Sequence, residues 1–235
     1  MKLEAENMNP VARKTMIILL KILEMKEFTQ MAIINEIVKT GREELTASAA
    51  QINRVVRWLT QHGYIIIKRR GNLREDRIED RISHGLELLK PLEIEGRIFY
   101  ELINPLGVLE LIALHRSMAS IKKDTFRVSI KKSELIEFLK SRDVVFCLGT
   151  ALEIYSGYYR PDEISFYAKE DNKMRDYLKS HPGNLLTVSW YDPPDRVLKN
   201  GNYTTEVQTA VDMFCDGKGY YAKDILHKLW GIIVD

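Results

Sequence analysis

The side chains with the most specific chemistry lie between residues 48 and 74. Asn53, Arg54 and Arg57 fall in one short stretch that also contains Ser48 and Gln51. Arginine and asparagine match guanine and adenine edges, and all of these groups can bind phosphate oxygens. A second group is purely cationic and consists of Lys68, Arg69, Arg70 and Arg74. Together the two groups predict binding to a polyanion that exposes base edges.

The first group lies on a predicted amphipathic helix. At about 100° per residue, one face of this helix collects Ile52, Val55, Val56 and Leu59. The opposite face carries Ala47, Ala50, Asn53, Arg54, Arg57 and Gln61. Thr46 or Ser48 can cap its start, and Gly63 follows its last turn. An ordinary solvated helix shows the same pattern, so this helix alone does not decide between the two interpretations.

The cationic group follows a short strand. The run 64–67 (YIII) is apolar and β-branched, which favours a strand, and Gly71-Asn72 can form a hairpin turn. Residues 64–74 contain no acidic side chain, so positive charge is concentrated at the predicted tip. A run of cations is usually a solvated loop. Its position directly after the helix and strand favours phosphate contacts instead.

Two earlier helices complete a recognisable order. Residues 10–25 and 28–38 have helical apolar spacing, and Gly41 follows the second segment. Three helices followed by a basic hairpin is the order of a winged helix-turn-helix. We therefore predict double-stranded DNA as a partner.

The charge distribution agrees with this interpretation. The net charge is only +2, but residues 1–90 hold 16 Lys and Arg against 12 Asp and Glu, whereas the remainder holds 19 against 21. No apolar run approaches the ~18–20 residues that a membrane-spanning helix needs. The first residues, which include Glu4 and Glu6, lack the apolar core of a signal peptide. We expect a cytoplasmic protein without a membrane partner.

The cysteines and histidines predict no metal site. Cys147 and Cys215 lie in apolar surroundings, where small buried side chains are the simplest interpretation. The five histidines are scattered without ligand spacing. Gly217-Lys218-Gly219 is too short for a phosphate-binding loop and suits a turn between helices. We expect no cofactor.

Strands and helices alternate after residue 95. Residues 96–102 have strand alternation, and Pro105 opens a strongly apolar segment, Leu106 to Met118. That segment can be buried within the chain or can pair with a second copy, and the sequence does not separate these alternatives. Further strands are expected at 126–130, 144–150, 164–168 and 186–190, and further helices at 132–141, 151–155, 174–180, 208–214 and 222–230.

One turn in this region requires comparison with nucleotidyltransferases. Those enzymes place a strand, a Gly-Ser or Gly-Thr turn and a helix before two carboxylates that share one strand face and hold metal ions. Gly149-Thr150 fits the turn, but Asp162 and Glu163 are adjacent, and Ile164 occupies the place of the second carboxylate. A degenerate, non-catalytic relative is the favoured interpretation, so no catalytic residue is assigned.

We therefore predict an α+β protein. It has a winged helix-turn-helix (residues 1–95), a strand-helix connector that could serve in a dimer or between domains (96–124), and a mixed α/β domain resembling a degenerate nucleotidyltransferase-like fold (125–235).

The C-terminal half resembles a known family. The segments TEVQTAVDMFCDGKGYYAKDILHKLW (205–230), FCLGTALEIYSGYYRPDEISFYAK (146–169) and YELINPLGVLELI (100–112) are similar to the AbiEi-type antitoxin regulators of abortive-infection toxin–antitoxin systems. The resemblance implies an autorepressor whose winged domain binds inverted repeats in its own promoter. It also implies a C-terminal domain that counters a nucleotidyltransferase-like toxin.

Three functions remain open at this stage. The first is a DNA-binding regulator of antitoxin type, which the helix and basic hairpin favour. The second is a nucleotidyltransferase-like enzyme with an atypical acidic site. The third is a ligand- or protein-binding module whose basic hairpin is incidental, or a stand-alone regulator whose C-terminal domain binds a ligand or another protein.

Overall fold

The computed structural model describes residues 8–38, 47–69 and 98–233. Within these ranges the protein is a mixed α+β molecule with two β-sheets. No helix in the same ranges has the length and apolar composition that crossing a membrane requires.

The N-terminal part of the chain contains three helices and the first sheet. Its elements are α1 (Arg13–Met25), β1 (Glu27–Phe28), α2 (Gln30–Val38), α3 (Ala49–Gln61), β2 (Ile65–Arg69) and β3 (Ile98–Leu102). Strand β3 is central and runs antiparallel to both β1 and β2. Ile65 pairs with Leu102 and Arg69 pairs with Ile98, so residues 70–97 connect β2 to β3.

The second sheet belongs to the C-terminal part. After α4 (Pro105–His115) come β4 (Lys122–Val128), α5 (Lys132–Lys140), β5 (Val145–Phe146), α6 (Leu148–Tyr155), β6 (Glu163–Tyr167), α7 (Asn172–Lys179), β7 (Leu186–Tyr191), β8 (Lys199–Asn200), β9 (Tyr203–Thr204), α8 (Glu206–Cys215) and α9 (Lys223–Trp230). The strand order is β4-β7-β6-β5-β9-β8. β6 is parallel to β7 and β5 to β9, whereas the other neighbours are antiparallel.

One apolar core joins the two parts. It extends from α1, α2 and α3 through α4 to α8 and α9. Helix α1 is buried along residues 17–23 because it contacts α2 and α3 as well as α4 and α8. The Trp230 indole Nε1 also donates to the Leu23 carbonyl at 3.1 Å. The first sheet and its helices are therefore packed directly on the C-terminal helices.

A second core fills the other side of the large sheet. It contains Ile164, Phe166, Val188 and Trp190 of the parallel pair β6 and β7, with Leu135 and Leu139 of α5 and Met174 and Leu178 of α7. In both strands these apolar residues alternate with polar ones, which are Ser165 in β6 and Thr187 and Ser189 in β7. Burial of the apolar residues explains why these strands were evident in the sequence.

The structure corrects several local predictions. Phe28 was assigned to the second helix, but it lies in β1 opposite Tyr100, and the helix begins at Gln30. Ala47 was placed on the exposed face of α3, but it precedes the helix and is only 7% exposed. Gly149 and Thr150 were assigned to a turn after a long strand. Strand β5 has only two residues, and Gly149 and Thr150 lie in α6. Residues 122–124, placed at the end of the predicted connector (96–124), belong to β4.

Strand β3 differs from its expected setting. Residues 98–102 were expected in a connector, but they form the central strand of the first sheet. The expected hairpin turn at Gly71-Asn72 and the predicted boundary after residue 95 both lie outside the described residues.

Candidate nucleic-acid interface

Helix α3 has one buried and one exposed face. Ile52, Val55, Val56 and Leu59 are buried, as their spacing predicts. Asn53, Arg54, Arg57 and Gln61 are exposed, and Ala49 and Ala50 are exposed in the first turn. The helix is held by contacts with α1, α2 and β2. Its buried stripe therefore fixes which side chains meet solvent.

Ser48 and Gln51 fix the start of this helix. The Ser48 hydroxyl accepts from the Gln51 backbone N–H at 3.2 Å, and the Gln51 side-chain oxygen accepts from the Ser48 backbone N–H at 3.0 Å. This reciprocal pair is a capping box, which satisfies two donors that a helix start otherwise leaves unpaired. Both residues were predicted as DNA contacts, and the structure gives them a structural role at the same place.

Asn53 is part of a polar contact that sequence reasoning missed. Gln30, the first residue of α2, donates through Nε2 to the Asn53 side-chain oxygen at 3.3 Å and to the Tyr100 hydroxyl at 3.2 Å. These contacts connect residues 23 and 70 positions apart, so no local spacing reveals them. They place the start of α2 beside the middle of α3 and add Gln30 to the candidate interface.

Arg57 lies near the same group. Burial raises the pKa of the Tyr100 hydroxyl, and the Gln30 hydrogen bond and the positive charge of Arg57 act in the opposite direction. Arg54 and Arg57 lie three residues apart on the exposed face, close enough in a helix to approach one groove of a duplex. The exposed face of α3 thus combines amide and guanidinium groups.

Lys68 occupies a different environment from the one predicted. Its ammonium pairs with Glu27 at 2.9 Å and with Glu101 at 2.8 Å, and its side chain is 38% exposed. The hydrogen bonds that Lys68 donates to Glu101 and Glu27 raise its pKa, so it stays protonated. Two carboxylates compensate its charge, which weakens the argument that Lys68 itself binds phosphate.

The other predicted cations are only partly placed. Arg69 is the last residue of β2, and its backbone pairs with Ile98. Arg70 and Arg74 lie outside the described residues. Their role at the tip of the hairpin therefore stays a prediction.

The second site considered in the sequence, around Asp162, has an unexpected arrangement. Ile164 is fully buried, and the Thr150 hydroxyl accepts from the Ser165 backbone N–H at 2.8 Å. Glu163 lies 3.9 Å from the Lys218 ammonium, which also pairs with Asp216 at 2.8 Å. Lys218 was assigned to a simple turn, and its approach to Glu163 was not predictable because the two residues are distant in sequence. Within the described part of the chain, no group of three or more His, Cys, Asp and Glu side chains could hold a metal ion.

The residues that suggested the family resemblance form a buried polar cluster. Asp212 is fully buried, accepts from Gln208 Nε2 at 2.9 Å and pairs with Arg116 at 3.1 Å. Arg116 also donates to the Tyr167 hydroxyl at 2.9 Å. Through this cluster, Gln208 and Asp212 of α8 are connected to Arg116 at the end of α4 and to Tyr167 of β6.

Both cysteines are free and buried, as the sequence predicted. Burial raises the pKa of the Cys215 thiol to about 12 and raises that of Cys147 as well. A thiol with a raised pKa is protonated at neutral pH and is a poor nucleophile.

Nothing matches this chain in comparisons with protein-family models, curated proteins and solved structures. The resemblance to AbiEi-type regulators therefore stays a prediction that rests on the quoted segments.

Proposed function

We propose that this chain is a DNA-binding transcriptional regulator and that residues 8–102 include a winged helix-turn-helix. The observation that carries the proposal is the exposed face of α3, where Asn53, Arg54 and Arg57 lie opposite a buried apolar stripe. The order helix, strand, two helices and two strands around an antiparallel sheet supports it. Gln30 supports it further because it places the start of α2 beside α3.

The chemistry of this face suits a duplex. Guanidinium groups bind phosphates and guanine edges, and an asparagine amide binds adenine. The small side chains Ala49 and Ala50 allow the first turn of α3 to approach a groove closely. A helix of this composition would lie in the major groove.

The test is duplex binding as a function of salt. The full chain should bind a labelled duplex with affinity that falls as salt rises, because phosphate contacts release counterions. Arg54→Ala with Arg57→Ala should weaken binding about 100-fold or more, since hydrogen bonds to charged groups contribute about 1.5–3 kcal/mol each. The control is Lys179→Ala with Lys199→Ala, which removes two exposed charges elsewhere. Equal affinity of the two double variants would reject α3 as the binding helix.

We propose further that the protein is an autoregulator of antitoxin type that acts in the cytoplasm. In this proposal the C-terminal half, a degenerate nucleotidyltransferase-like fold, counters a nucleotidyltransferase-like toxin. Its support is the resemblance of residues 100–112, 146–169 and 205–230 to that family. A gene for such a toxin directly downstream, whose toxicity co-expression of this chain relieves, is the expected result. Toxicity that is unaffected by co-expression would remove the antitoxin role and leave the DNA-binding role standing.

We also propose that the chain does not itself transfer nucleotides. Ile164 is buried where the second metal-binding carboxylate would lie, and Glu163 is close to a lysine. With Mg²⁺ or Mn²⁺ and labelled nucleotides, the purified protein should label neither tRNA nor protein. Labelling that disappears in Asp162→Ala would show a working enzyme.

A further inference from the structure

A cluster of tyrosines lies on the C-terminal half, outside the candidate DNA interface. Two Gly-Tyr-Tyr sequences meet there, one in the loop between α6 and β6 and one in the short turn before α9. We call the group formed by Tyr158, Tyr159, Tyr220, Tyr221 and Lys223 the tyrosine surface. Tyr158 is 49% exposed and Tyr220 is 57% exposed, so much of both rings is in contact with solvent.

The rings form a series of tilted contacts that ends in solvent, with 52° between the planes of Tyr159 and Tyr221. The ring of Tyr159 lies 5.0 Å from that of Tyr221, and Tyr221 lies 4.0 Å from Tyr220 with 34° between their planes. One face of Tyr220 is thus turned to Tyr221. Its exposed area lies on the remaining face and edge, where another flat ring could continue the series.

The backbone holds the surface in place. The Tyr158 hydroxyl donates to the Tyr221 carbonyl at 3.1 Å, which ties the loop to the turn. The Ser156 hydroxyl pairs with Asp224 at 3.1 Å and makes a second tie. A Cβ on Gly219 would lie 2.8 Å from the Phe214 ring, so the turn packs closely on α8. The exposed rings therefore lose little freedom when a ligand stacks on them.

Cations flank the rings. The Lys223 ammonium lies 4.9 Å from the centre of the Tyr158 ring and has no carboxylate partner among the described residues. Lys218 lies two residues before Tyr220, but Asp216 at 2.8 Å already compensates its charge, so Lys223 is the cation that could contact a phosphate. A protein-binding centre is normally depleted of lysine. Exposed tyrosines beside Lys223 instead match the combination that binds single strands, in which bases stack on rings and cations contact phosphates.

We propose that the tyrosine surface binds unpaired nucleotides of a single-stranded nucleic acid. A base stacks on Tyr220, and the adjacent backbone passes Lys223 and Tyr158. Duplex does not compete, because its bases are stacked on one another and present no free face. This proposal is independent of duplex binding by α3, and either can fail without the other.

The test uses the full chain and fluorescein-labelled 12-nucleotide strands, uridine RNA and thymidine DNA, measured by fluorescence anisotropy. Binding should be saturable, and Tyr220→Ala should weaken it about 5- to 150-fold, the range for loss of one stacking ring. Tyr220→Phe keeps the ring and should bind as the unmodified chain does. Lys223→Gln should reduce the salt slope by about 0.7, the value for one phosphate contact on a single strand.

The controls separate this surface from α3. Arg54→Ala with Arg57→Ala should leave single-strand affinity unchanged, and Tyr220→Ala should leave duplex affinity unchanged. Equal affinity for RNA and DNA would support stacking and phosphate contacts alone, whereas a preference for RNA would support them together with a 2′-hydroxyl contact. Absence of binding to both strands would overturn the proposal and leave a protein as the partner. Single-strand binding that is lost in the arginine variant and kept in Tyr220→Ala would also overturn it.

Discussion

At the scale of single side chains, the proposed DNA binding depends most on Arg54 and Arg57. Both are exposed on α3, but an exposed arginine can bind either a base edge or a phosphate. Residues on this face differ in their contacts, and the side-chain oxygen of Asn53, for example, accepts from Gln30. The two arginines therefore need separate tests.

Each single variant should distinguish base contacts from phosphate contacts. A base-binding arginine contributes about 1–3 kcal/mol of discrimination between correct and wrong sequences. We expect Arg54→Ala and Arg57→Ala to lower affinity for a selected operator more than for random duplex. Competition binding with both duplexes measures the ratio. The same loss on both duplexes would make the mutated arginine a phosphate contact.

The buried pair Arg116 and Asp212 predicts a stability effect. The Arg116 side chain is 11% exposed and that of Asp212 is fully buried, so removing the cation leaves a carboxylate without its countercharge. Arg116→Met should lower the free energy of unfolding by about 3–5 kcal/mol. Arg116→Met with Asp212→Asn should recover part of this loss, as coupled residues do.

Denaturant unfolding measures both effects. Arg127→Met, at an exposed position of β4, is the matched control and should change stability little. If Arg116→Met and the control have equal stability, the pair contributes nothing to the fold.

At the scale of elements, the sequence predicted the helices and strands whose apolar periodicity is strong and missed those that depend on long-range pairing. The buried stripe of α3 and the apolar strands β6 and β7 were evident because their periodicity is strong. Strand β1 was missed because it has only two residues and exists through pairing with β3. Likewise, β3 joins the first sheet through pairs with residues 29 to 74 positions away.

The same limit applies to the candidate sites. Ser48 was predicted as a cap, but its partner in the capping box was assigned to DNA instead. Lys68 appeared to be a free cation because Glu27 and Glu101, which neutralise it, are distant in sequence. The tyrosine surface was missed because its halves lie about 60 residues apart and meet only in the fold.

The basic end of β2 gives a prediction about an element. We first expected Lys68, Arg69 and Arg70 to bind phosphate together. Because two carboxylates already compensate Lys68, its loss should change little. Arg69→Ala with Arg70→Ala should weaken binding to all duplexes and reduce the salt slope by up to about 1.8, the value for two contacts.

Salt titrations of three variants check this assignment. Lys68→Ala, the arginine pair and the triple variant are compared, and the triple should resemble the pair. A triple variant that binds as the unmodified chain does would remove this end of β2 from the interface. A Lys68→Ala variant with the larger effect would show that DNA displaces its carboxylates.

At the scale of the whole molecule, burial within the chain accounts for only some of the apolar residues of α4. Val108, Leu109 and Ile112 are buried against helices of the same chain, including α8 and α1. This burial favours the intrachain interpretation for one face. Leu114, however, is 81% exposed. Leu114 is therefore available for contact with a second copy, and that contact stays a prediction.

The last prediction is that two copies occupy one operator. A single winged module covers few base pairs, and joining two modules increases avidity through effective concentration. A duplex with two half-sites should bind two copies, measured by sedimentation of the free protein and of the complex.

If α4 makes the contact, Leu114→Glu should reduce cooperativity on the double site and leave binding to one half-site unchanged. Leu185→Glu, at another exposed apolar position, is the control. Retained cooperativity in Leu114→Glu would place the contact elsewhere or only on DNA, whereas a 1:1 complex at saturating protein would exclude every form of dimer.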